Sequence, residues 1–197
     1  MSAQLHLISD APATYADLEA APAGYTIELI GGRLHAQPRP RFRHARAAMS
    51  LGELLGPPFN WGDGGGPGGW VILVEPELHI VRDTEVLVPD LGGWKAERLA
   101  GMNPDEHRFE VTPDWVCEIL SSSTERYDRQ DKLPVYARWG VPWVWLVDPS
   151  LKRIEVYWHA GQDLVLHNEV SQQPGDTDPL CLPPFEAVAL PVQRLWL

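Results

Sequence analysis

At 197 residues with 44% hydrophobic content, the chain is long enough for one well-buried domain, residues 1–197, and short for two. Its formal net charge of −11 excludes the globally basic surface that binds polyanions without specificity, so any phosphate contact must come from a local patch. Cys117 and Cys181 form no framework of paired spacings, which points to a reducing compartment.

Met1 to Pro22 has neither the basic region nor the apolar run of a secretory leader, and no later stretch reaches bilayer-spanning length. The expectation is a cytoplasmic protein with no membrane association. Thr14-Tyr15-Ala16-Asp17 resembles a capping box with Asp in place of Glu, opening a short helix that Pro22 and Gly24 close. Tyr25 to Ile30 reads as a strand, Gly31-Gly32 as a hairpin turn, and Arg33 to Gln37 as the returning strand, ended by Pro38 and Pro40. Phe42 to Leu55 reads as a helix, with Ala47, Ala48, Leu51, Leu54 and Leu55 at three- and four-residue spacing. Arg33, Arg39, Arg41, Arg43, His44 and Arg46 form a local basic patch before and within this helix. A plain solvated face explains the same run equally well.

The run Gly62 to Gly69 lacks the Lys-Ser/Thr of a phosphate-binding loop and precedes a strand, so it reads as a surface connection. From Trp70 to Arg82 the pattern alternates. Ile72, Val74, Leu78 and Ile80 face one way and Val71, Leu73, Glu75, Glu77 and His79 the other; Pro76 interrupts, which makes a bulged or edge strand, or two short ones. Strands follow at Glu85–Val88, Trp115–Leu120, Trp143–Val147, Arg153–Trp158 and Leu164–Asn168. Between Ser121 and Gly140 lies a helix capped by Asp128 or Asp131, with Pro134 favouring the later start. Strand, helix and strand in this order make a crossover unit with a locally parallel sheet. Pro174 to Pro184 reads as a loop before a final element, Phe185 to Leu190. Trp143 and Trp145 project to one side of their strand and would suit a homodimer interface.

Two carboxylates stand out. Asp90 ends an apolar strand, and Glu118 shares a strand face with Val116 and Leu120. A carboxylate in such a setting needs a cation or a hydrogen-bond partner to offset its burial. Two of them suit magnesium or manganese, because magnesium is commonly held by one or two carboxylates with water and phosphate oxygens. The bland alternatives are a turn-forming Pro-Asp pair at Asp90, a structural salt bridge from Glu118 to Arg126 or Arg129, and a solvated Lys132.

Their order is more specific than any one of them. Val88-Pro89-Asp90, Glu118-Ile119-Leu120 with Ser121 to Thr124, Tyr127-Asp128-Arg129 with Lys132, and Tyr136-Ala137-Arg138 with Gly140-Val141-Pro142 resemble the Uma-two family of the PD-(D/E)XK restriction-endonuclease-like superfamily. The likeness runs from Glu28-Leu29-Ile30-Gly31-Gly32 and His44 through Trp145-Leu146-Val147-Asp148-Pro149 to the carboxyl-terminal strands. The resemblance implies an α/β (α+β mixed) fold, a restriction-endonuclease-like mixed β-sheet flanked by helices, with extra amino- and carboxyl-terminal β-hairpins. It also implies metal bound by Asp90, Glu118 and the main-chain carbonyl of Ile119, and a DNA-cleaving magnesium-dependent endonuclease.

Two positions depart from the family pattern. Leu120 stands where the family's lysine usually is, and Lys132 is the matching residue on the following helix; Ser122 replaces the branch's usual proline. His44, Glu75, Glu77 and His79 are candidate supporting groups, His44 and Glu77 ahead of the other two. A nuclease-like domain without turnover, binding nucleic acid or a protein partner, is the competing reading, motivated by the acidic charge and the displaced lysine.

Overall fold

The computed structural model describes residues 6–7, 12–22, 24–37, 39–81, 84–173 and 175–196. Most of the residues before Pro12, the break expected at Pro38, the end of the alternating stretch at Arg82 and the start of the loop at Pro174 lie outside them. In chain order the elements are β1 (His6–Leu7), α1 (Tyr15–Glu19), β2 (Thr26–Ile30), β3 (Arg33–Gln37), α2 (Phe42–Leu55), β4 (Trp70–Val74), β5 (Glu77–Val81), β6 (Glu85–Leu87) and β7 (Leu91–Lys95). Then come β8 (Arg108–Phe109), β9 (Trp115–Ile119), the helix α3, β10 (Trp143–Asp148), β11 (Arg153–His159) and β12 (Leu164–Ser171). The helix α3 runs through Glu125–Tyr127, a wide π-type turn Asp128–Lys132, and Leu133–Trp139.

The fold is the expected mixed α/β one, with its strands in two mixed sheets where the resemblance implied one sheet and extra hairpins. One has the order β1-β3-β2-β6-β5-β8 and the other β12-β11-β10-β9-β7-β4. In the second sheet β9 and β10 run parallel, joined across α3 as the crossover pattern requires, while the neighbouring pairs are antiparallel. Period-two alternation along β9 sends Trp115, Cys117 and Ile119 into the core beneath α2, and Val116 and Leu120 into the core beneath α3. Glu118 lies between Val116 and Leu120 on the α3 side. A third core packs α1 on the first sheet through Tyr15, Ile27, Leu29 and Val86.

Several elements differ from the sequence reading for local reasons. The stretch from Trp70 onward is two short strands, one of the readings Pro76 allows, but they lie in different sheets, because Glu75 takes φ +48 and Pro76 follows it. The alternation therefore does not carry across: Val74 is 65% exposed, and His79 is buried. Strand β7 escapes the pattern because Gly92 and Gly93 interrupt its apolar run. A Cβ on Gly92 would stand 2.9 Å from Pro76 Cγ, and one on Gly93 would stand 3.1 Å from Trp115 Cε3. The glycines admit close neighbours.

Helix α3 starts at Glu125, before either expected cap. The π-type turn just ahead of Pro134 keeps the helix continuous, and Gly140 at φ +76 closes it. Phe185 to Leu190 forms no strand beyond the bridge of Leu190 to Leu180. Among the described residues no helix is long and apolar enough to cross a membrane.

Candidate active site

The chain passes between the two sheets at Glu75-Pro76 and again at residues 88–90, and the Glu75 amide donates to the Asp90 carbonyl at 3.1 Å. Asp90 is thereby set at the junction, beside the end of β9. Its Oδ2 accepts from the Ile119 amide at 2.6 Å, and its Oδ1 lies 3.1 Å from His44 Nε2, on the first turn of α2. An extended residue turns its N–H and C=O toward the same neighbour. The Ile119 carbonyl therefore faces the Asp90 side as well.

Glu118 is anchored from α3. Lys132 Nζ is 2.7 Å from Glu118 Oε1 and 2.9 Å from Glu28 Oε1, and the Tyr136 hydroxyl donates to the same Glu118 oxygen at 2.5 Å. Both donors converge on Oε1, so neither engages Oε2. Glu28, on β2 of the other sheet, also accepts from the Val88 amide at 2.8 Å and from Gln37 Nε2 at 2.7 Å. The Glu28–Lys132–Glu118 bridge ties the sheets together beneath the junction. The wide turn at Asp128–Lys132 accompanies the inward placement of both residues, which are buried.

Charge decides the state of these groups. Burial pushes the Glu118 carboxyl well above the usual range; the Lys132 ammonium opposes this, and the like charges of Asp128, Asp90 and Glu28 add to the push. Burial alone would lower Lys132, but Glu118, Glu28 and Asp128 outweigh it and hold its ammonium above the ordinary lysine value. Asp128 is pushed up to about 7, chiefly by burial, with Lys132 pulling down and Asp90 pushing up. For His44, burial works against the charged ring, yet Asp90, Asp128 and Glu75 raise it overall. Carboxylates thus crowd one ammonium, a field that favours a further cation.

Asp90, Glu118, Asp128 and His44 line a narrow cleft of about 60 Å³, together with Arg39 and Arg41 and with Ser121, Ser123 and Thr124. Among the described residues no group of three or more His, Cys, Asp or Glu side chains is disposed to hold a metal. The donor set that does fit is two carboxylates and the Ile119 carbonyl, a sparse set that leaves positions for water and phosphate, as magnesium prefers.

The structure brings Asp90, Glu118, Ile119, Lys132 and His44 together. Lys132 lies under the cleft and not in its wall, with no exposed surface, so it acts on Glu118 and does not face a ligand directly. Glu77 is not brought in. Its Oε1 accepts from the Tyr15 hydroxyl at 2.7 Å and lies 2.8 Å from His79 Nε2, because the crossing at Glu75-Pro76 turns β5 away. Arg126 and Arg129 do not pair with Glu118: Arg126 holds Gln130, and Arg129 holds Glu155 at 2.7 Å. Arg43 reaches the Pro149 carbonyl at 3.3 Å, and of the basic run Arg39, Arg41 and His44 line the cleft.

Sequence reasoning passed over Glu28 and Asp128 as site members. Glu28 carries the same signal that marks Glu118, a carboxylate inside an apolar strand, Thr26-Ile27-Glu28-Leu29-Ile30.

The model of the family Uma2, described as "Putative restriction endonuclease", matches residues 12–193. A crystal structure from Anabaena variabilis, described as "a putative nuclease belonging to DUF820", superposes with a TM-score of 0.69 at 19% identity, covering 93% of this chain and 97% of that one. At that identity the likeness shows the fold. No curated protein matches the chain.

Proposed function

The chain belongs to the Uma2 family, and from that premise we propose that it is a metal-dependent endonuclease that hydrolyses phosphodiester bonds of DNA. The observation that carries this reading is the convergence of Asp90, Glu118 and the Ile119 main chain at one cleft beside Arg39 and Arg41. The neighbour described as a nuclease shares the fold that sets these residues together.

Asp90, Glu118 and the Ile119 carbonyl would hold magnesium or manganese. The chemistry such an ion supplies when bound is Lewis-acid activation of water and neutralisation of phosphate charge. The protein's own residues prepare the site. Lys132 opposes the rise that burial imposes on the Glu118 carboxyl and fixes its Oε1 together with Tyr136. His44 and the Ile119 amide orient the two oxygens of Asp90, and the two arginines draw the phosphate chain to the cleft wall.

The test is a cleavage screen over single- and double-stranded DNA and RNA, in Mg²⁺, Mn²⁺ and EDTA, with wild type and Asp90→Asn. Metal-dependent cleavage of DNA by wild type, lost in Asp90→Asn, is expected. Cleavage that persists in Asp90→Asn would assign the activity elsewhere. One observation favours the competing reading of a binding domain without turnover: the Lys132 ammonium already offsets Glu118. Folded wild type with no cleavage under any of these conditions would establish that reading.

A further inference from the structure

On the far side of the His44–Asp90 pair lies a second hollow of about 500 Å³ with mostly apolar walls. It shares Pro40, His44, Glu75 and Asp90 with the proposed catalytic cleft, so the two adjoin across that wall. Its walls include Met49 from α2, Trp61 from the turn after it, and Val74 from the end of β4. These side chains are 64%, 69% and 65% exposed. Burying them would be favourable, and no part of the described chain covers them.

Trp61 is an exposed platform with a fixed back. A Cβ added to Gly56 would meet the indole Cζ3 at 3.4 Å, so the ring rests on bare backbone there while most of its surface faces solvent. The two hollows differ in their cations. Arg39 and Arg41 stand among the carboxylates of the cleft, whereas among the described residues no arginine or lysine lines the apolar side, which carries Glu53 and the shared Glu75 and Asp90. A phosphate chain finds cationic partners only on the cleft side. A base has a flat apolar face and no charge, and it suits the apolar side.

We propose that the Trp61 groove is a base-stacking subsite for an unpaired nucleotide, and that the substrate is therefore single-stranded nucleic acid or the unpaired part of a duplex. This inference rests on the nuclease reading of the adjoining cleft. A base can lie on Trp61 only if it has left its own stack and partner. The overall charge of −11 points the same way. Duplex DNA presents one charge per roughly 1.7 Å of axis and is usually gripped by many cations, whereas stacking adds sequence-tolerant affinity to the few that a single strand meets here.

The test is fluorescence anisotropy with a labelled single-stranded DNA oligonucleotide and with its duplex, in EDTA at low salt so that binding is read without cleavage. Wild type should bind the single strand more tightly than the duplex. Trp61→Ala and Met49→Glu should each weaken single-strand binding by on the order of tenfold, with Trp61→Phe retaining most of it. Circular dichroism confirms that each variant is folded.

Equal binding of duplex, absence of single-strand binding, or wild-type affinity in both Trp61→Ala and Met49→Glu would overturn the proposal. A dimer in sedimentation that Trp61→Ala dissociates, with single-strand affinity unchanged, would assign the groove to a second copy of the chain and overturn it too. Single-strand binding through Trp61 without Mg²⁺- or Mn²⁺-dependent cleavage would instead overturn the nuclease reading and leave the stacking subsite standing.

Discussion

Replacing Lys132 by Met should cost stability before it costs anything else. The ammonium has no exposed surface and lies within 2.9 Å of two buried carboxylates, Glu28 and Glu118, each almost fully shielded. Methionine fills a similar volume but leaves both carboxylates without their cation, and removing one partner of a buried pair costs about 3–5 kcal/mol. For a domain of this size each kcal/mol shifts Tm by roughly 2–4 °C, so a fall of about 6–20 °C is expected.

The pH dependence fixes the cause. Burial already raises the Glu118 carboxyl, and Lys132 is what restrains it; without Lys132 its folded-state pKa rises further. The folded variant then binds a proton that the unfolded chain has released, so its stability falls as pH rises from the ordinary carboxylate range through that raised value. Urea unfolding followed by far-UV circular dichroism, at pH 5 and pH 8, should show the larger deficit at pH 8. Adding Glu28→Gln to Lys132→Met should recover part of the loss. A variant as stable as wild type at both pH values would refute the account of Lys132 as the charge that holds this junction.

Further outcomes follow from the same geometry. Alanine at Arg39 and Arg41 should weaken nucleic-acid binding for all sequences alike and flatten the plot of log K against log salt by about 0.7–0.9 for each phosphate no longer neutralised, whereas Arg43→Ala should leave the slope in place; anisotropy titrations across salt measure this. Glu77→Ala should leave cleavage rates at wild-type level while lowering stability by about 1–3 kcal/mol, because it strips Tyr15 and His79 of their shared acceptor. Asp128 has its pKa raised from 3.8 to about 7, so the metal-free fold keeps a proton there that the unfolded chain loses. Wild-type stability should therefore decline between about pH 4 and pH 7. Asp128→Asn should reduce that decline in urea titrations.

What the sequence made legible, and what it hid, divides along one physical line. Helix α2 spans the residues its apolar spacing indicates, and β9, α3 and β10 form the expected crossover, because these patterns are local. Lys132 reaches Glu118 for the same reason: α3 returns directly over the strand that carries Glu118. The orientation of Glu77 and the split into two sheets were hidden, since both hinge on the positive φ of Glu75, which no periodicity records. Glu28 was hidden differently. Its partner Lys132 lies far along the chain, and only the fold brings β2 beneath the junction.

Calorimetric titration of Mn²⁺ into the metal-free protein tests the central claim most directly. Wild type should bind the ion with measurable heat, and Asp90→Ala, shown to be folded by circular dichroism, should lose that heat, because it removes one of the two carboxylates of the donor set. Equal binding by wild type and Asp90→Ala, or no binding by wild type at millimolar Mn²⁺, would contradict a metal centre built on Asp90 and Glu118.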